Sequence, residues 1–376
     1  MAGDLVKSNE ISDSGQTTSV DRTSIVWLHR LTVLSVCLVW PLIWVGGLVT
    51  TYDAGMAVPD WPGTYGYNLF LYPVTTWLFG PFDLFIEHGH RLLGAVVGFV
   101  SIAIVIAAFR QERRRWVVGL SVAILLAVIS QGALGGVRVL LSDRTIAMIH
   151  GCFGPVVFVM CCLAAAVTGP RWVGRVYREG AWPRTRALGW GVVLVGCAAV
   201  LFSYTQLALG AQIRHVQPWT TPRMFTALVA THITSAFVLW GLTLVLWLLV
   251  RRCGDMTLSR PSGWLIWFVG VQILLGTGTW IVNYGWPTVL AFLPVGEGFL
   301  VQSKGFIDSI IVTAHVAFGS LILATSAVVL LQVFRQRYLA KAIDSGVRQL
   351  DSSDKELSVG SSDRISSTQD PVVASN

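Results

Sequence analysis

An all-α integral membrane protein of eight transmembrane helices is the fold class the sequence predicts, and three observations predict it. Only 12% of the 376 residues are charged and 54% are hydrophobic, whereas a soluble domain carries about 25% charged residues. Mean hydropathy is +0.65. Apolar stretches at about 25–50, 86–108, 116–140, 145–168, 187–209, 225–250, 263–283 and 307–333 are each long enough to cross a hydrocarbon core of about 30 Å as a helix.

The loops set the orientation, because Lys and Arg are retained on the cytoplasmic side. Basic residues gather before and at the start of the first span (Lys7, Arg22, Arg30), after the second (Arg110, Arg113, Arg114, Arg115) and after the fourth (Arg171, Arg175, Arg178, Arg184, Arg186). They gather again after the sixth (Arg251, Arg252, Arg260) and after the eighth (Arg335, Arg337, Lys341, Arg348, Lys355, Arg364). The alternate loops hold only Arg138, Arg144, Arg214, Arg223 and Lys304, with Arg91 at the start of the second span. Both termini are therefore expected in the cytoplasm. The formal charge of +7 is a topological signal and gives no argument for a nucleic-acid partner; the expected surroundings are the lipid bilayer.

Both ends of the chain are poor in apolar residues and rich in Ser, Thr and Asp, so 1–24 and 339–376 read as disordered cytoplasmic tails. Asp4, Glu10, Asp13 and Asp21 do not suit an acid-poor transit peptide, and the first apolar run is too long for a signal peptide. A multi-pass protein of a bacterial plasma membrane is the expectation. The six cysteines show neither metal-thiolate spacing nor a pairing pattern, and Cys161 and Cys162 read as small helix-packing residues.

The two halves resemble each other. Gln131-Gly-Ala-Leu-Gly-Gly-Val-Arg138 ends the third span and Gln272-Ile-Leu-Leu-Gly-Thr-Gly lies in the seventh; His150-Gly-Cys-Phe-Gly154 in the fourth matches His315-Val-Ala-Phe-Gly319 in the eighth. The reading is an N-terminal four-helix half at 25–168, a cytoplasmic linker at 169–186 and a C-terminal half at 187–338. The two would be tandem four-helix bundles related by a pseudo-twofold axis along the membrane normal, since each copy starts inside.

Histidine carries the chemistry. His90, His150, His232 and His315 each lie on an even-numbered span, within about eight residues of its outer end. Four imidazoles at one depth, two per copy, is the number needed to clamp an iron on both axial sides or to border one flat macrocycle inside each four-helix unit. A helix-packing hydrogen bonder is the alternative for any one of them. His29, beside Arg30, reads as part of a snorkelling pair, and His215 as a solvated residue or an anion contact. His88 would point about 200° away from His90.

Glu87 lies three residues before His90 and so shares its helix face. A helix cap and a carboxylate that stabilises cationic charge or handles protons are both open for it. Only the first copy has this acid; the matching part of the second reads Ala230-Thr231-His232. The outer-face arginines are candidates for carboxylate contacts or for interfacial side chains. Aromatics of the Thr51–Phe85 loop, among them Trp61, Tyr72 and Trp77, suit either a cover over a ligand edge or an interfacial belt.

Glu87-His-Gly-His90-Arg91-Leu-Leu-Gly resembles the Glu-x-x-His-Arg motif of the haem A synthase family, and the likeness extends to Gln131–Arg138, His150, His232, His315 and Gly55-Met-Ala-Val-Pro-Asp-Trp-Pro62. The resemblance implies an oxidoreductase that converts haem O to haem A by oxidising a ring methyl to a formyl group, a step in building cytochrome oxidase. It implies a resident haem b held through its iron by His232 and His315, and a substrate haem O whose iron is bordered by His90 and His150. Glu87, His90 and His150 would be the catalytic residues. The implied partners are haem O synthase, cytochrome oxidase assembly factors and an electron donor. Some members carry two cysteines around the Trp-Pro of the first outer loop; Val58 and Thr64 stand there in this chain, which leaves it no disulfide at that place. Two other functions fit the histidines alone: a di-haem b-type cytochrome that oxidises quinol, and a non-catalytic haem carrier.

Overall fold

The computed structural model describes residues 22–176, 188–252, 254, 256–287, 301 and 305–366. Among them the regular structure is all helical: α1 (Arg22–Thr51), α2 (Val74–Leu78), α3 (Phe82–Gln111), α4 (Arg115–Leu141), α5 (Arg144–Thr168), α6 (Pro170–Val176), α7 (Trp190–Arg214), α8 (Pro222–Arg251), α9 (Met256–Tyr284) and α10 (Phe306–Ser366). Eight of these are long and apolar enough to cross a membrane, all but the short α2 and α6.

Local chemistry sets several helix ends. The Asp143 side chain accepts from the Ile146 amide at 2.8 Å to start α5, and Thr221 accepts from Met224 at 3.3 Å with Pro222 at the first position of α8, which satisfies amide donors that the helix itself leaves open. At the end of α4, Ser142 turns into the left-handed region with φ 49°. Pro41, Pro155 and Pro261 lie inside spanning helices, where neighbouring helices can accommodate the lost backbone bond.

The helices pack as two rings. In the first, α1 touches α3 and α5, and α4 bridges α3 to α5; in the second, α7 touches α8 and α10, and α9 bridges α8 to α10. The rings meet through α1 with α10, α5 with α10 and α5 with α7. Val97, Ile124, Phe158 and Ala164 form the first core, which Ala324 of α10 joins. Val192, Ala199, Leu246, Leu265 and Val329 form the second. Cys161 is a buried free thiol within the first core.

Polar contacts tie the helices to the connections. Arg335 bonds the Trp172 carbonyl and lies 4.1 Å over its ring, and Arg337 does the same with the Leu188 carbonyl and, at 4.3 Å, the Trp190 ring. The start of α10's polar extension thus clips both described ends of the connection between the halves. Its helix continues to Ser366, past the boundary expected at 338, so most of the expected irregular tail is helical backbone. Residues 1–21, 177–187 and 367–376, parts of the expected tails and linker, lie outside the described residues.

Candidate functional site: two histidine pairs

The four histidines singled out by sequence come together as two pairs. His90 of α3 faces His150 of α5 with ring centroids 6.5 Å apart and planes at 81°. His232 of α8 faces His315 of α10 at 6.2 Å and 76°. In all four, Nδ1 is buried with no hydrogen-bond partner among the described residues.

Each ring rests on a glycine of an adjacent helix. A Cβ at Gly46 of α1 would stand 2.8 Å from His90 Cε1, and the corresponding distances are 3.2 Å for Gly135 of α4 to His150, 3.4 Å for Gly210 of α7 to His232 and 3.0 Å for Gly276 of α9 to His315. At Gly46 and Gly276 a side chain would meet the imidazole at or inside van der Waals contact. Four residues before each glycine, one helical turn back, stand Leu42, Gln131, Gln206 and Gln272. The three glutamines reach the backbone behind the rings. Gln131 Nε2 donates to the His150 carbonyl at 3.1 Å, Gln206 to His232 at 2.7 Å and Gln272 to His315 at 2.7 Å. Gln131-x-x-x-Gly135 and Gln272-x-x-x-Gly276 lie in the matched segments of the sequence. Gln206-Leu-Ala-Leu-Gly210 has the same form and was a readable signal that sequence analysis missed.

Charge distinguishes the pairs. Glu87 is 1% exposed and is the sixth residue of α3, whose N-cap is Pro81 with no side-chain cap bond, so Glu87 does not cap the helix. Its Oε1 accepts from Arg91 Nε at 3.1 Å, and its Oε2 lies 3.6 Å from Arg138 Nη2 without a hydrogen bond. Arg91 is committed elsewhere as well: it donates to the carbonyls of Asp60 at 2.6 Å, Gly63 at 2.9 Å and Val58 at 2.7 Å. This removes Arg91 from the candidates for a ligand's carboxylate and makes it the clamp of the first outer loop. In the second half, Val229 stands three residues before His232 and Ile233 follows it, so neither partner of the Glu87–Arg91 pair is repeated.

That outer loop is bound to α3 from both sides. His88 is buried and its Nδ1 pairs with Thr64 Oγ1 at 2.9 Å, while the rings of Tyr72 and Trp77 pack on it at 5.2 and 5.4 Å. His88 therefore faces the loop and His90 faces the pair, as their angular separation required. Val58 and Thr64, the positions that hold cysteine in some members of the resembled family, are both fully buried here and bind the loop through a carbonyl and a hydroxyl. Asp60 turns its carboxylate to the amides of Tyr65 and Gly66 at 2.8 and 2.9 Å. Burial alone would raise its pKa, but these amides and the nearby Arg91 outweigh it and hold the carboxyl below its usual value. The loop's aromatics divide: Tyr72 is buried against His88, whereas Phe79 is 81% exposed.

The remaining candidates fall outside the pairs. His29 Nδ1 lies 3.3 Å from Thr168 Oγ1 and Arg30 lies over Trp27, so the expected snorkelling pair is two separate contacts. Arg214 donates to the Gly47 carbonyl at 2.8 Å and to Thr51 Oγ1 at 2.6 Å, tying the second half to α1. His215 is half-buried, and burial, then Arg214, Arg138 and Arg144, push its imidazole down to about 4. Arg144 and Arg223 are exposed, and Lys304 lies outside the described residues. No group of three or more His, Cys, Asp or Glu able to hold a metal ion occurs among the described residues.

No protein-family profile matches the chain, and no curated protein matches it either.

Proposed function

We propose that this chain is a haem A synthase, a membrane oxidoreductase that converts the ring methyl of haem O to a formyl group for cytochrome oxidase. The observation that carries the reading is a buried carboxylate, Glu87, beside one of two closely matched histidine pairs. Two metal–nitrogen bonds of about 2 Å and the two ring radii sum to about 6 Å, so the spacings of 6.5 and 6.2 Å would let the imidazoles of each pair hold one metal ion between them. Two imidazoles are too few for a bare ion but would suffice to hold an iron that a macrocycle already carries.

On this reading His232 and His315 hold a resident haem b, and His90 and His150 take haem O. Turning the methyl into a formyl group removes four electrons and adds an oxygen atom, so the step needs dioxygen as terminal oxidant; a haem iron would supply the oxidising chemistry when bound, while the protein supplies position and electrostatics. Gly46, Gly135, Gly210 and Gly276 let the helix backbones approach the rings. Glu87 places a negative charge next to the ring edge, where positive charge develops as the methyl group is oxidised, and Arg91 fixes the carboxylate's direction. The matched Gln-x-x-x-Gly supports favour two bundles related by a pseudo-twofold axis along the membrane normal. The distribution of basic residues favours a bacterial plasma membrane with both termini in the cytoplasm and both sites in its outer half; a reporter fused after Arg337 should be active only on the cytoplasmic side.

The deciding experiment expresses the protein with a supply of haem O, extracts the pigments and identifies them by mass. Haem A together with haem b is the expected result. Haem b alone with quinol turnover would make the chain an electron-transfer cytochrome. Unchanged pigment with no donor consumed would make it a carrier.

A further inference from the structure

Three guanidinium groups lie around the outer end of the first half, and they differ in what they bind. Arg91 has Glu87 and three loop carbonyls. Arg214 has a carbonyl and a hydroxyl of α1. The Arg138 guanidinium, 16% exposed, makes no hydrogen bond among the described residues; its Nε is buried and unpartnered, and its nearest acid atom, Glu87 Oε2, is 3.6 Å away. A buried donor without an acceptor is disfavoured, more so when charged, and such groups in native proteins usually mark a missing partner.

The surroundings say what that partner is. Gly135, on which His150 rests, stands three residues before Arg138 on α4, and Glu87, 3.6 Å from the guanidinium, stands three before His90 on α3, so an acceptor beside Arg138 lies at the outer edge of that pair. Gly55 provides the space: a Cβ there would stand 2.6 Å from Arg138 Nη1. The neighbouring charges Arg91, Arg214 and Arg144 leave the region positive, with Glu87 as its buried acid. An anion with two acceptor oxygens in one plane suits a guanidinium fork.

We infer that the Arg138 guanidinium, seated on Gly55, ion-paired with Glu87 and hydrogen-bonded to nothing among the described residues, is the anchor for a carboxylate of the planar ligand in that site. This rests on the proposed haem reading and adds to it the ligand's orientation: its carboxylate edge faces outward, toward the end of α4. A phosphate of a lipid headgroup offers similar oxygens, and the experiment separates the two sources.

The test titrates iron protoporphyrin IX, and separately its dimethyl ester, into the purified protein with the second site filled, reading the absorbance of the bound pigment. Wild type should bind the diacid at least about 10-fold more tightly than the diester. Arg138→Gln should abolish that preference, Arg138→Lys should keep part of it, and Gly55→Ala, which leaves the charge in place and displaces the fork, should reduce it. Equal binding of diacid and diester by wild type, or an undiminished preference in Arg138→Gln, would overturn the inference and leave Arg138 to a lipid phosphate or to water. Failure of both pigments to bind, or binding unaffected by His90→Ala, would instead remove the haem reading on which it stands.

Discussion

Replacing Glu87 with Gln removes one negative charge and changes almost nothing else. Side chains three apart on a helix are separated by about 5–6 Å, and at 6 Å with an effective dielectric of about 20 a unit charge is worth about 2.8 kcal/mol. Positive charge developing at the ring edge loses that stabilisation, so the oxidation should slow about 100-fold. The two arginines do not alter the sign, because the loss of a negative charge counts in full whatever cations already surround it. Folding should survive: the Gln carbonyl can still accept from Arg91 Nε, and Arg91 keeps its three loop carbonyls, so the destabilisation should stay below the roughly 3–5 kcal/mol of a broken buried pair. The assay follows haem O and haem A by mass in membranes, with thermal stability and resident haem content measured on the same preparation. Haem O, or a partly oxidised product, should accumulate in the variant. A normal rate of haem A formation in a well-folded Glu87→Gln protein would refute the charge argument.

His232→Ala and His315→Ala should each abolish the tightly bound haem b spectrum, whereas His90→Ala should leave it; full retention of haem b in the first two would exclude that pair as its ligands. Gly46→Ala should disturb the first pair alone, because its new methyl meets His90 Cε1 at 2.8 Å, and overpacking of this kind typically costs about 1–3 kcal/mol; a change in the second-pair spectrum instead would show that the contact is not local. His215 titrates at about 4 when folded and near 6.5 when free, so the unfolded chain binds more protons between these values, and stability should fall as pH drops from about 6.5 toward 4. Thermal melts of wild type and His215→Gln across that range measure it: a slope as steep in the variant would assign the effect to another group.

The eight spans were legible because hydropathy and the demand for internally satisfied backbone bonds act over some 20 residues at a time. Their ends were less so. Hydropathy placed the second span at 86–108, but α3 covers Phe82–Gln111, since Asp83, Arg110 and Gln111 are polar and still helical. The choice of His90 over His88 rested on Glu87 three residues before it, and the structure turns His90 toward His150 and His88 toward Thr64. The Glu87–Arg91 pair was readable as an i, i+4 contact, yet the two residues were assigned separate tasks. Arg138, 51 positions further on, gives no local sign that it lies beside Glu87. The contacts of His88 with Thr64 and of Arg214 with Gly47 join segments 24 and 167 residues apart, and such pairings depend on how a loop or a whole half docks. Gly46 was beyond reading too: it serves His90 as Gly135 serves His150, but the residue four before it is Leu42, so the repeat is masked.

Arg91 is a single side chain with two obligations, to the carboxylate of Glu87 on one side and to the backbone of Val58, Asp60 and Gly63 on the other. Lifting the outer loop would strip the guanidinium of three acceptors at once and leave Glu87 as its principal counter-charge. By linkage, whatever alters the charge at Glu87 must shift the equilibrium of the loop by the same free energy with which the loop's position alters the carboxylate. The position of the outer loop and the charge carried at Glu87 are therefore conjugate quantities, settled together at one side chain.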